Sequence, residues 1–332
     1  MASQEKRDGA HRPADDIVAR IVRQTGIPDL LAVLADRLSP TDLQSLLLAV
    51  YQRRASRLDP RQVMGQYERS RFVQPAQVDP RQLLAFDRLA FECLPPTFEI
   101  IELSPLSPLG SNSALAPVSQ NWMVSTIRNN EVCADATSVL ALECARRRRA
   151  LYRQVKRPVG ATRLGASHRV LRAQRFAGPA TFAHFRILSL CTAGRDRGSY
   201  RFEIDALTEQ LEFYITLLNR ARDGGFALGA VRVALTAFEG ALYEPLQAGL
   251  LRPLAAAHPE VALGFDQKRT SGRGYYERTG FQIFARDGAG AEHFLVDGGF
   301  TDWTQQLLSN RKERLLTSGL GSERLVYVFG PE

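Results

Sequence analysis

Apolar residues recur at two different spacings along this chain, and the change of spacing divides it. From residue 15 to residue 70 they fall three and four apart. Ile27, Leu30, Leu31, Leu34 and Leu38 make one such stripe, and Leu43, Leu46, Leu47, Val50 and Tyr51 make another. That period places each set on one face of a helix. Ser39-Pro40 separates them, and a proline there suits the first turn of the second helix. The run Gln74-Pro75-Ala76-Gln77-Val78-Asp79-Pro80 then reads as a joint.

Beyond the joint, short strand-like runs alternate with helical ones. Phe98 to Leu103 reads as a strand that ends in turns at Pro105 and Pro108. Ser138 to Ala150 reads as a helix, and Leu207 to Asn219 as an amphipathic one with Leu207, Leu211, Tyr214 and Leu218 aligned. Val170 to Phe176 and Phe182 to Cys191 suit two strands around a Gly178-Pro179 turn, a hairpin with a long connection. Val231 to Leu235, Phe281 to Phe284 and Glu292 to Val296 add three strands, the last just before Gly298-Gly299. Strands in hairpins mixed with helices predict an α+β domain built on an antiparallel sheet flanked by helices. The expected organisation is a small helical module over residues 1–75, with a disordered start, and a larger domain over 76–332. No internal repeat is visible.

Composition narrows the class. At 332 residues with 45% hydrophobic and 23% charged content, the chain can bury a sizeable core. No run reaches the roughly 20 apolar residues of a membrane helix, so no membrane association is expected. The polar start MASQEKRDGAHRPADD lacks the apolar stretch of a secretory signal, which predicts a cytoplasmic protein. Cys93, Cys133, Cys144 and Cys191 form no CxxC pair, against a zinc knuckle or a disulfide framework. His168 and His184 show no metal spacing, and no metal ligands are assigned. The net charge of +8 is carried by arginine, most densely at Arg146–Arg149. Two readings stand for that run: a basic surface for a nucleotide or RNA, or cations closing a helix whose C-terminus favours them.

The chemistry-bearing residues cluster in four segments. Leu171-Arg172-Ala173-Gln174, a loop, then Phe182-Ala183-His184-Phe185-Arg186 pairs an arginine with an aromatic ring. Gly319-Leu320-Gly321-Ser322-Glu323-Arg324-Leu325 sets glycines before an acid and an arginine. Between them stand Gly272-Arg273-Gly274-Tyr275-Tyr276-Glu277-Arg278-Thr279-Gly280-Phe281 and Gly298-Gly299-Phe300-Thr301-Asp302. Upstream lies Val132-Cys133-Ala134-Asp135-Ala136-Thr137. Each has a plain structural explanation when taken alone. The tyrosines can be core aromatics, Asp135 can cap the helix from Ser138, and Arg172 can lie on a solvated strand face.

Their joint order over residues 90–330 resembles the catalytic core of the class II aminoacyl-tRNA synthetases, and of the histidyl branch in particular. The resemblance implies that Arg172 grips an ATP α-phosphate and the activated carboxylate, while adenine stacks on Phe185. It places Arg324 over the other face of adenine and near the γ-phosphate, with Gln174 and Glu323 beside the nucleotide. Asp135 and Thr137 fall where the family holds the substrate's α-amine. Arg273, Tyr275, Tyr276, Gly298 and Gly299 fall in its substrate loop and glycine-rich segment. ATP and Mg²⁺ are the implied cofactors, with Arg172 and Arg324 as the catalytic pair. A fixed guanidinium stabilises the negative charge that builds during carboxylate adenylation, so these residue types suit that chemistry.

Three departures bear on function. Gln174 stands where the family has an acid, Ser271 where its substrate loop has an arginine, and Ile187 where it has a glutamine. Only Val326 to Glu332 follow the last motif, so an anticodon-binding domain is not expected, nor ordinary tRNA charging. Three readings follow from the resemblance. The first is an enzyme that adenylates an amino acid or similar carboxylate and passes it to a non-tRNA acceptor, such as a protein. The second is a non-catalytic ligand sensor like the regulatory subunit of ATP phosphoribosyltransferase, which works with a partner enzyme. The third, ranked last, is an RNA-binding paralogue. The family's first motif, suggested here by Phe98 to Pro108, implies a homodimer.

Overall fold

The computed structural model describes residues 13–174 and 182–331. The apolar stripes of the first 70 residues form α1 (Pro13–Thr25), α2 (Leu30–Ala32, running into a π turn over Val33–Arg37), α3 (Pro40–Ala55) and α4 (Pro60–Arg69). Ser39 caps α3 with Pro40 in its first turn, and Asp59 and Gln62 form a reciprocal capping box on α4. None of residues 16–69 is buried. The stripes are thus helical but largely uncovered, with Ile17, Leu31, Tyr51 and Met64 more than half exposed. The joint after α4 is tied to the hairpin of the larger sheet. Arg71 donates to the carbonyl of Ala173. His184 accepts at Nδ1 from Arg169 and donates from Nε2 to the carbonyl of Gln74 at 2.7 Å.

Past α5 (Pro80–Cys93) the strands are β1 (Glu99–Ile100), β2 (Leu106–Pro108), β3 (Asn130–Val132), β4 (Thr162–Leu171) and β5 (His184–Arg195). After these come β6 (Val231–Ala237), β7 (Ala262–Phe265), β8 (Glu277–Arg286), β9 (Glu292–Thr301) and β10 (Glu313–Leu320). Eight of them make one sheet in the order β1-β4-β5-β10-β9-β8-β6-β7, and β2 pairs with β3 apart from it. The six central strands are antiparallel, and the edge pairs β1·β4 and β6·β7 are parallel. The α+β expectation holds. Helix α6 (Ala136–Gln154) covers one face and α7 (Arg201–Asp223) the other. The segment α8 (Tyr243–Leu246), a π turn and α9 (Arg252–Ala257) follow, and α10 (Trp303–Leu308) and α11 (Ser322–Phe329) complete the chain.

Side-chain alternation along β5 shows how the two faces are filled. Leu188 and Leu190 join Leu211, Tyr214, Leu218 and Phe281 in the α7-side core. Ile187, Cys191 and Ala193 join Leu140, Cys144 and Trp303 in the α6-side core.

Several boundaries differ from the expected ones. The strand expected over Phe98–Leu103 shrinks to two residues, because it lies at the sheet edge and Leu103 turns away into the α6-side core. β4 begins at Thr162 rather than Val170; its Gly165, Ala166 and Ser167 are weak strand formers held by burial on both faces. The Gly178-Pro179 turn lies outside the described residues. β9 continues through Gly298-Gly299, and β10 occupies a stretch where no strand was expected. α6 runs on to Gln154, so Arg146–Arg149 lie within it and do not close it. Nor do they form an open basic patch. Arg146 and Arg147 pair with Glu143, Arg149 donates to the Leu307 carbonyl, and Arg148 is fully buried against Glu313.

Candidate functional site

A cavity of about 250 Å³ lies against the α6 face of the sheet. Its walls come from the N-terminus of α6, the facing residues of β5, β9 and β10, the 112–123 segment and the tyrosine loop. Arg172, Gln174, Phe185, Asp135, Thr137, Tyr275, Tyr276 and Arg324 all line it. Residues more than 180 positions apart in the chain thus share one wall, as their order in the sequence implied.

The α6 end is built around Asp135. Its backbone is extended and its carboxylate caps the helix, accepting from the Thr137 backbone N–H at 2.9 Å and the Thr137 hydroxyl at 2.8 Å. The other carboxylate oxygen accepts from Arg172 Nη2 at 3.1 Å, and Arg172 Nε donates to the Ala134 carbonyl at 2.8 Å. The Arg172 guanidinium also lies 5.2 Å from the Phe185 ring centroid. The helix cap and the candidate amine-binding carboxylate are therefore the same group, and the candidate phosphate-binding arginine is its counter-ion.

The tyrosine loop folds back on Gly272, whose carbonyl accepts from the backbone N–H of Tyr275 at 3.1 Å and of Tyr276 at 2.7 Å. Tyr275 sits edge-on to Tyr276 and to Trp303, with centroids 4.9 and 5.6 Å apart. Burial pushes both hydroxyls well above the usual tyrosine range. Gly299 is what lets Tyr276 lie on β9: a Cβ there would stand 2.6 Å from the ring. Gly298 points the other way. Its missing Cβ would meet Phe281 and Ser318 on the α7 side, so it serves core packing and does not face the cavity.

Two further sequence candidates lie elsewhere. Arg273 is not in the cavity wall; its guanidinium sits 6.0 Å from the Phe238 ring. Glu323 is fully buried behind the wall, accepting from the Arg186 backbone N–H at 3.0 Å and pairing with Arg169 at 2.8 Å. Arg324, next to it, does line the cavity, and burial lowers its pKa.

Sequence reasoning missed Arg269 and Asp297. Asp297 lines the cavity and pairs with buried Arg269 at 2.9 Å, while Arg269 Nε donates to the Ser271 carbonyl. Burial raises the Asp297 pKa against the pull of Arg269. The loop's buried arginine thus stands two residues before Ser271.

The residues fit ATP and Mg²⁺ unequally. Phe185, Arg172 and Arg324 are of the kind that would hold a nucleotide. A hard divalent cation wants carboxylate oxygens. Here Gln174 stands at one such place, and Asp135 is engaged by Arg172. Glu323 meets Arg169 and the Arg186 backbone N–H through one oxygen only, its Oε1 being buried with no hydrogen-bond partner among the described residues. Among the described residues no group of three or more His, Cys, Asp or Glu is placed to hold a metal. Among them, too, no helix is long and apolar enough to cross a membrane.

No family model matches the chain, and no curated protein matches it. Solved structures do. One is an ATP phosphoribosyltransferase regulatory subunit/histidyl-tRNA synthetase from Bacillus halodurans, at 13% identity and TM-score 0.52, covering 77% of this chain and 82% of that one. A histidine–tRNA ligase subunit from Alicyclobacillus acidocaldarius matches at 14% identity and TM-score 0.55, covering 78% of this chain and 96% of the other. The apo histidyl-tRNA synthetase of S. aureus matches at 15% and 0.54, covering 76% of this chain and 66% of the enzyme. At such identities the likeness is one of fold. The chain has the α+β fold of a class II synthetase core, of the histidyl-tRNA synthetase kind.

Proposed function

We propose that this chain is a ligand-binding, regulatory relative of the class II synthetases, and that its cavity takes an amino acid or a similar small molecule. The observation that carries this reading is the pairing of Arg172 with Asp135. An arginine that must receive a reacting phosphate is held here by a carboxylate 3.1 Å away and by the Ala134 carbonyl. Charge-assisted bonds of this kind are about twice as strong as neutral ones, so a phosphate would compete with them for the guanidinium. Gln174, which removes a charge from the nucleotide side, points the same way. The cavity is also just below the ~300–1,000 Å³ of drug-sized ligand pockets, which suits a small occupant.

ATP-dependent adenylation of the bound acid is the second reading. It is favoured by Arg172, Phe185 and Arg324 lining one cavity. Both readings take the protein as a cytoplasmic homodimer with residues 1–75 as an added module. In the regulatory reading it acts on a partner enzyme; in the catalytic one it supplies an acyl group to a separate acceptor. The discriminating experiment is pyrophosphate–ATP exchange across the common amino acids, run beside thermal-shift titrations with the same panel. A stabilising amino acid without exchange supports the regulatory reading. Amino-acid-dependent exchange above background overturns it in favour of adenylation.

A further inference from the structure

We infer that the α6 end of the cavity selects an amino acid with an apolar aliphatic or aromatic side chain, an inference that rests on the binding reading above and names its ligand class. Beside Asp135 and Thr137, much of the wall at this end is apolar. Ala116, Val118, Ile187, Tyr275 and Trp303 reach the cavity from one continuous cluster that also packs under α6. Ile187 is set close against β10: a Cβ on Gly319 would lie 2.8 Å from its terminal methyl, so the strand opposite it offers bare backbone and no side chain.

The polar groups at this end are engaged with one another. The Thr137 hydroxyl donates to Asp135, and the Ser138 hydroxyl bonds the Asp135 carbonyl at 2.8 Å and Asn112 at 3.1 Å. The Asn112 amide donates to Glu131 at 2.9 Å. A ligand imidazole or amide that faces Ala116, Val118, Ile187 and Trp303 loses water without gaining a hydrogen bond, whereas the α-ammonium shared by all amino acids can still meet the Asp135 carboxylate.

The wall is also held in shape. Glu131 is fully buried, and its carboxylate accepts from the Gly110 backbone N–H at 3.0 Å, from Asn112 and from Gln120 Nε2 at 2.7 Å. These bonds pin both ends of the segment that carries Ala116 and Val118. A rigid apolar wall discriminates by methylene count, each methylene being worth roughly tenfold or more in affinity.

The test is calorimetric titration of the full chain with Leu, Met, Phe, Ala, His, Lys and Asp, repeated on Ile187→Gln. Leu, Met or Phe should bind at least about tenfold tighter than Ala, with His, Lys and Asp no tighter than Ala. Ile187→Gln should cost the apolar ligands tenfold or more. If a polar amino acid binds tightest, the selectivity is overturned while the binding reading stands. If no amino acid binds, both fall. The wild-type ranking decides the matter even if Ile187→Gln does not fold.

Discussion

Replacing Arg148 by methionine tests whether the densest run of positive charge is a surface feature or an internal one. Arg148 and Glu313 both have fully buried side chains. The guanidinium meets Glu313 through Nε and through Nη2 at 2.9 Å, and donates from Nη1 to the Gly160 carbonyl at 3.0 Å. Tyr152 adds a 2.5 Å hydrogen bond to the same carboxylate. Burial alone would lower the arginine's pKa, but the Glu313 carboxylate outweighs it and holds the pKa above the ordinary value. Arg148→Met leaves Glu313 buried without its cation, a loss of about 3–5 kcal/mol. For domains of this size each kcal/mol moves Tm by roughly 2–4 °C, so the melting point should fall by about 6–20 °C. Glu313→Leu should cost a similar amount. The double variant should be far more stable than the sum of the singles, with a coupling energy of about 2 kcal/mol or more in a urea-unfolding cycle. Additive losses, or an Arg148→Met protein that melts within 2 °C of the parent, would refute the buried pair.

Further outcomes follow from other contacts. Gly298→Ala should cost about 1–3 kcal/mol in urea unfolding, since its Cβ would fall 2.5 Å from the Phe281 ring and 2.7 Å from Ser318 Cβ in a packed interior. Asp135→Asn should keep the α6 cap and melt near the parent, whereas Asp135→Ala should lose about 0.5–2 kcal/mol; both should weaken the titrated ligand. Hydrogen bonds from Arg146 and Arg147 hold the Glu143 carboxyl at about 2, against an ordinary 4.5. A depressed carboxylate contributes stability above its unfolded pKa and loses it as pH falls through the folded one. Thermal scans from pH 5 to pH 2 should therefore show a shallower acid decline for Glu143→Gln than for the parent; identical declines would contradict the assignment.

The helices of the first 70 residues, α6 and α7 were legible in the sequence because their apolar stripes run over many turns and their caps are local. Helix α5 (Pro80–Cys93) and the short helices after α7 were not expected. Asp135 shows the limit of that legibility. Its spacing before Ser138 suits a cap and its neighbours suit a ligand contact, and it carries the first role while lining the cavity. Strand ends were less legible. Gly165 to Ser167 and Glu313 to Gly319 have little strand propensity of their own and are held extended by neighbours on both sides. The direction of Gly298 and the burial of Arg148 and Arg269 depend on partners 17 to 165 positions away, which no local window contains. The resemblance sets Ser271 at the place of the substrate-loop arginine, with Arg273 nearby, while the buried guanidinium arrives from Arg269, two residues before Ser271.

The tie between the joint and the hairpin has a mechanical meaning. Ala173 and Gln174, whose carbonyls Arg71 grips, directly follow Arg172 at the cavity, and the Gln74 carbonyl is held by His184, next to Phe185. The cavity wall at Arg172 and Phe185 and the root of four helices with uncovered apolar faces therefore share one short hydrogen-bonded strip of chain. Coupling of this sort is reciprocal. Any change that a ligand in the cavity made to the helices' hold on a partner would be matched, by the same factor, in the partner's effect on the ligand.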